Sequence, residues 1–142
     1  MSEPIKDFVC FRSSLPTGSY PAEAKPLAKA LSRRLEAFGI AVDQIQKHWE
    51  DLRLVCRFHG QLFWLDVTTY VEAQPLEFSL EFRPSGRSFL GWFHRSQIRS
   101  LIERVDQILH SDPAFTEIRW YRSRDVAKKE SGTEHPFARR GD

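Results

Sequence analysis

The chain has 142 residues and a nearly balanced charge, with 21 Lys and Arg against 19 Asp and Glu. This length is typical of one domain that buries its core without disulfide or metal staples, and the charge balance argues against a dedicated polyanion binder. No apolar run approaches the ~20 residues of a membrane-spanning helix, and two cysteines, Cys10 and Cys56, indicate reduced thiols in a cytoplasmic protein.

The first part of the chain predicts a short strand and a helix. Residues 7–11 predict the strand, and the Ser-, Pro- and Gly-containing residues 13–21 predict a loop. An apolar stripe at helical spacing then predicts a helix that ends before Gly39, which suits the position after a helix C-terminus. The stripe consists of Leu27, Leu31, Leu35 and Phe38.

A three-strand meander between Leu52 and Phe82 is the strongest pattern in the sequence. Apolar and polar residues alternate, and His59-Gly60 fits a two-residue hairpin turn. This turn sets the register of the first two strands, because it places Phe58 opposite Gln61. One face then pairs apolar residues only: Cys56 with Phe63, Leu54 with Leu65, and Leu52 with Val67.

The other face of the meander carries charged residues. A loop over residues 72–75 places Glu81 beside Asp66, which already faces Arg53. We therefore expect a cross-strand row of Arg53, Asp66 and Glu81 on a solvated outer sheet face.

A second helix and a last strand complete the domain. Apolar residues from Ile98 to Leu109 follow helical spacing, with Ser96 as the N-cap and Ser111-Asp112-Pro113 as the end. Residues 115–122 predict a strand, and the polar residues 123–142 predict a flexible C-terminal tail outside a domain of residues 1–122. The predicted fold is an α+β two-layer sandwich in the order β-α-β-β-β-α-β. Both helices lie on one face of a mainly antiparallel sheet.

The sequence predicts no catalytic residue, no cofactor and no metal site. The five histidines never pair as H-x-H or H-x-x-x-H, and no phosphate-binding glycine loop is present. Residues 86–91 resemble the G-x-S-x-G motif of hydrolases, but the second glycine comes one position late.

Charged residues of the sheet face allow an acid–base alternative. Asp66 and Glu81 are predicted neighbours, and close pairs of carboxylates serve some enzymes as acid–base catalysts. Arg53 supplies a counter-charge, which favours a salt-bridge row. The candidate residues of this face are Arg53, Arg57, Trp64, Asp66, Glu77 and Glu81.

The segment 88–95 is the most unusual in the chain, because it places large aromatics in a predicted loop. The alternatives are a small satellite core beneath the loop, an extra turn at the N-terminus of the second helix, or an exposed patch for docking a protein, with contact to a membrane surface as a lesser variant. Trp, Phe and Arg are common in binding hot spots, which supports the docking patch. The candidate partner-binding residues are Phe89, Trp92, Phe93, His94 and Arg95.

Nucleic-acid binding is the alternative function. Residues 83–99 combine four arginines with aromatic residues and contain no acidic residue, as single-strand binders do. Glu77 and Glu81 argue against it, because an RNA-binding sheet carries aromatics at such positions.

Two stretches carry a resemblance to known proteins. Residues 112–121, Asp-Pro-Ala-Phe-Thr-Glu-Ile-Arg-Trp-Tyr, and the strand Phe-Trp-Leu-Asp-Val at 63–67 resemble those of small bacterial α+β proteins of uncharacterised function. Such proteins include immunity proteins of toxin systems. The resemblance implies a non-catalytic protein, an immunity protein or an adaptor, that acts by occluding a partner such as a toxin, and it implies no particular functional residue.

Overall fold

The part of the chain that the structure describes forms a six-stranded antiparallel sheet with two helices, which confirms the predicted α+β class. The computed structural model describes residues 5–14, 24–49, 51–70, 77–84, 95–122, 129 and 131–137. In chain order the elements are β1 (Phe8–Ser13), α1 (Ala24–Ala37), β2 (Ala41–His48), β3 (Asp51–Phe58), β4 (Gln61–Tyr70), β5 (Glu77–Pro84), α2 (Arg95–Ser111) and β6 (Phe115–Tyr121). The strands lie in the order β2-β3-β4-β5-β1-β6.

Strand β2 is an element that the sequence does not predict, so four consecutive strands separate the helices where three are expected. It lies at the edge of the sheet and pairs with β3. A β-bulge between Val42 and Gln44 interrupts its alternation, and most of its residues are exposed. An edge strand with a bulge lacks the strict alternation of polar and apolar residues by which strands are identified from sequence.

The meander has the predicted register. Phe58 faces Gln61 across a turn in which His59 and Gly60 have φ angles of 51° and 77°. Two positive φ angles are typical of a type I′ hairpin turn, whose twist matches that of the flanking strands. Asp66 consequently lies between Arg53 on β3 and Glu81 on β5. The predicted loop at 72–75 lies outside the described residues.

The inward face of the sheet forms one core with both helices. Helix α1 ends in a Schellman motif, in which Ile40 N–H donates to Leu35 O at 2.9 Å and Gly39 N–H donates to Glu36 O at 3.1 Å. The apolar stripes of α1 and α2 contribute Leu27, Leu31, Leu35, Ile102, Val105, Ile108 and Leu109 to the core. Neither described helix is long and apolar enough to span a membrane.

Residues 131–137 pack against the folded domain, beyond the predicted boundary at residue 122. Thr133 and Trp120 exchange two backbone hydrogen bonds, of 2.7 and 3.1 Å, at the edge of β6. Phe137 is buried in the core cluster beneath the guanidinium group of Arg99. The low apolar content of this segment gives little sign of its packing, because its contacts include a single buried aromatic side chain, backbone hydrogen bonds and the contacts of Glu134 and His135 with α2. The rest of the predicted tail, apart from Lys129, lies outside the described residues.

Candidate binding face on the sheet

The two predicted binding regions differ in what the structure describes. Phe89, Trp92, Phe93 and His94 lie outside the described residues. Arg95 is the first residue of α2, and its side chain also lies outside them. The aromatic segment therefore stays a prediction, and the sheet face is the candidate site that can be described.

All six sheet-face candidates lie on the outer face, opposite the helices. Residues that pair across neighbouring strands share a face, and the register links Arg53, Asp66 and Glu81 in one row. The rest of this face follows by alternation along the strands. Arg57 is opposite Leu62, Trp64 is opposite Arg83, and Glu77 is opposite Tyr70.

Arg53 and Asp66 form a bidentate ion pair at the centre of this face. Arg53 Nε donates to Asp66 Oδ1 at 2.7 Å and Nη2 donates to Oδ2 at 3.0 Å. Only 8% of Arg53 and 5% of Asp66 are exposed. The hydrogen bonds to Asp66 raise the pKa of Arg53 above its usual value, against the opposing effect of desolvation. The expectation of a fully solvated row is therefore wrong for these two residues.

Arg83 extends the row toward solvent. Its Nη1 atom lies 3.6 Å from Asp66 Oδ2 and 3.9 Å from Glu81 Oε2, and about half of its side chain is exposed. Guanidinium groups thus occupy both oxygens of Asp66, so the geometry favours the salt-bridge interpretation of the row over an acid–base pair.

Trp64 completes the central cluster. The guanidinium carbon of Arg53 lies 3.9 Å from the centroid of a Trp64 ring, within the range of a cation–π contact. The edge of the Arg53 guanidinium group donates to Asp66, while the face of the same group packs against the Trp64 ring. The outer face thus carries a packed Arg–Trp pair on the same face as the exposed side chains of Arg57 and Leu62.

The basic residues of the alternative nucleic-acid segment separate where the structure describes them. Arg83 lies on the outer face beside Asp66. Arg99 lies on α2, where it donates to Glu103 at 3.0 Å and covers the ring of Phe137. These two arginines therefore do not contribute to one common surface.

One cluster of chemically capable residues escapes the sequence analysis. Asp106, His110 and His135 bring their ligand atoms within 4.8 Å of one another. Asp106 and His110 are four residues apart on one helix face, which is visible in the sequence. His135 comes from residues that the sequence assigns to a tail, so a rule based on histidine spacing cannot find the cluster.

Comparison of this chain with protein-family models, curated proteins and solved structures gives no match. The resemblance to bacterial immunity proteins therefore stays a prediction.

Proposed function

We propose that this chain is a non-catalytic protein-binding module that occludes its partner, and that the outer sheet face is part of its binding surface. The stack of Arg53 on Trp64 carries the proposal. Trp and Arg are enriched among residues that dominate protein–protein binding energies. The buried Arg53, held by Asp66, fixes the ring of the partly exposed Trp64 before a partner arrives, so little side-chain entropy is lost on binding.

The charges around this pair support a protein partner of mixed charge. Arg57 and Arg83 are half exposed, and Glu81 lies opposite Asp66 on the neighbouring strand of the same face. A surface that alternates in sign complements another alternating surface and repels no partner by net charge. A polyanion would instead meet acidic groups among the arginines.

We extend the proposal to a cytoplasmic immunity protein or adaptor, with a bacterial toxin as the candidate partner. No disulfide joins Cys10 and Cys56, in keeping with reduced thiols. Occlusion requires binding alone, and the neutralised row of Arg53 and Asp66 suits that role better than proton transfer.

The predicted loop, with Trp92 and Phe93, is the second part of the proposed surface. Loops carry binding residues more often than the elements they connect. Separate variants of the loop and of the sheet face measure the contribution of each to binding.

The test is capture of a partner from the native cell, followed by measurement with the purified pair. The tagged chain is used as bait, the captured protein is identified by mass spectrometry, and its Kd is measured by titration calorimetry. We expect Trp64→Ala to weaken binding by about tenfold or more, the effect of losing a hot-spot residue. A double variant, Trp92→Ala with Phe93→Ala, measures the contribution of the loop.

Trp49 provides the matched control. It is 85% exposed, in the turn between β2 and β3, so Trp49→Ala removes an exposed tryptophan away from the central cluster. This variant should bind as the wild type does. Equal losses in Trp49→Ala and Trp64→Ala would contradict the sheet-face assignment. Capture that nuclease abolishes and that weakens steeply with salt would favour the nucleic-acid alternative.

A further inference from the structure

Two imidazoles and a carboxylate meet where α2, β6 and residues 131–137 come together. Asp106 and His110 lie one turn apart on α2, and His135 reaches them from the segment that pairs with β6. His110 Nε2 lies 3.1 Å from Asp106 Oδ1, and His135 Nδ1 lies 2.8 Å from Asp106 Oδ2. The cluster lies on the side of the sheet where α2 packs, so it is separate from the candidate binding face on the outer side.

The imidazole nitrogens of this cluster face oxygen atoms that can only accept hydrogen bonds. His110 Nε2 is 2.9 Å from the backbone oxygen of Glu134 as well as 3.1 Å from Asp106 Oδ1, and both oxygens are acceptors. His135 Nδ1 likewise faces a carboxylate oxygen. Each of these ring nitrogens must therefore carry a proton or share a metal ion with the oxygens around it.

The spacing fits a small transition-metal ion. With bonds of about 2.0–2.1 Å, neighbouring ligands of a tetrahedral zinc ion lie about 3.3 Å apart. The separations of 2.8 and 3.1 Å, which involve the two different oxygens of Asp106, are a few tenths of an ångström shorter than this value, and the ligand atoms of all three residues lie within 4.8 Å of one another. The two imidazole rings, 4.4 Å apart and inclined by 32°, already lie side by side.

A buried indole orients the carboxylate. Trp120 Nε1 donates to Asp106 Oδ1 at 2.8 Å, and only 1% of Trp120 is exposed. Hydrogen bonds from outside the ligand set, which fix the direction of a ligating carboxylate, are a regular feature of metal sites. The Asp106 side chain is nearly buried, whereas a quarter of the His110 side chain is exposed, so the cluster lies at the surface edge of the core.

We propose that Asp106, His110 and His135 bind a divalent transition-metal ion, with Zn²⁺ as the ion. Two imidazole nitrogens and one carboxylate are a ligand set that zinc takes with a further position open to water or another ligand. The ion would join the segment 131–137 to α2. Its binding would thus stabilise the packing of Phe137 and the edge of β6, because an ion that binds only the folded chain shifts the folding equilibrium.

Titration of tag-free, chelator-treated protein with Zn²⁺ tests the proposal, with calorimetry and thermal unfolding as readouts. The wild type should bind a single ion and melt at a higher temperature with Zn²⁺ than without it. His110→Gln and His135→Gln should each lower the affinity by about 100-fold or more, beyond the 10–100-fold typical of a lost outer partner. His59→Gln, in the exposed turn between β3 and β4, is the matched control and should leave the affinity unchanged.

Two results would overturn the proposal. Absence of binding and of thermal stabilisation in the wild type would show a hydrogen-bonded cluster only. Unchanged affinity in both His110→Gln and His135→Gln would place any zinc elsewhere. If a variant fails to fold, as judged by circular dichroism, the imidazole NMR resonances of the wild type test the site instead. Zn²⁺ must shift those of His110 and His135 and leave that of His59 in place, and any other pattern contradicts the site.

Discussion

Arg53 and Asp66 form a buried, bidentate ion pair on the outer face of the sheet, opposite the two helices. The two hydrogen bonds measure 2.7 and 3.0 Å, and both residues are more than nine-tenths buried. A buried pair of this kind contributes little net stability, but the loss of one partner leaves an uncompensated charge. The pair therefore makes the outer face sensitive to single substitutions.

Arg53→Met should destabilise the fold by about 3 kcal/mol, which is at the lower end of the losses usual for a broken buried ion pair. The loss is limited because Arg83 remains within 3.6 Å of Asp66 and still offsets its charge. Urea denaturation measures the change. The control is Arg57→Met, whose ion pair with Asp43 is about half exposed and should cost about 0.5 kcal/mol or less. Equal losses in the two variants would show that burial of the Arg53 pair has no energetic consequence. Addition of Asp66→Leu to Arg53→Met should restore much of the loss.

The register of this pair was predictable because all the signals that set it are local. The turn at His59-Gly60 and the alternation of β3 and β4 lie within one hairpin, so turn geometry and hydrophobic pattern specify the same pairing. The burial of Arg53 and Asp66 was not predictable in this way. Alternation assigns a residue to a face, but the exposure of that face depends on long-range packing.

Gly39 should be the less replaceable of two glycines in the left-handed region. An added Cβ at Gly39, where φ is 85°, lies 2.9 Å from Arg104 Nη1, which donates to Phe38 O. Gly60, where φ is 77°, has open space around the same position. Gly39→Ala should cost about 2 kcal/mol and Gly60→Ala about 1 kcal/mol, because the second pays only the left-handed backbone cost. Chemical denaturation of both variants measures the difference, and a larger loss in Gly60→Ala would contradict the contact with Arg104.

Asp7 should make stability depend on pH between about pH 4 and pH 6. Burial raises the pKa of Asp7 to about 6, with a smaller contribution from the charge of Glu81, while a hydrogen bond to its own backbone acts in the opposite direction. Its Oδ1 atom is buried and has no hydrogen-bond partner in the described part of the chain. Because the folded pKa exceeds the unfolded value of about 3.9, the folded state binds the proton more tightly. Asp7 therefore destabilises the fold increasingly as the pH rises through this window.

Asp7→Asn should remove that dependence. Near neutral pH we expect the variant to be more stable than the wild type by about 1 kcal/mol, a value reduced for partial solvent screening, with no difference below about pH 4. Thermal unfolding over a pH series is the measurement. Glu103→Gln, a substitution at a half-exposed position of α2, serves as the control and should leave the pH profile as it is. A wild-type advantage near neutral pH would reverse the sign and refute the raised pKa.

The cluster of Asp106, His110 and His135 could not be predicted from the sequence alone. The i, i+4 spacing of Asp106 and His110 is visible in one helix, but that pair alone is common on helix surfaces. His135 joins it only because Thr133 pairs with Trp120 at the sheet edge. That pairing depends on backbone hydrogen bonds, which no residue type specifies.

Cys56 should be inert while the protein is folded. Its side chain is fully buried, burial raises the pKa of the thiol far above its usual range, and the charge of Asp43 adds to that effect. Since the thiolate is the reactive form, a thiol reagent should modify Cys56 only through unfolding. In a Cys10→Ser background, labelling with a chromogenic disulfide should release no signal from the native protein and the full signal after denaturant is added. A Cys56→Ala background isolates the half-buried Cys10 for comparison. Labelling of Cys56 faster than global unfolding, measured by hydrogen exchange of β3, would mean that the core face of β3 opens locally.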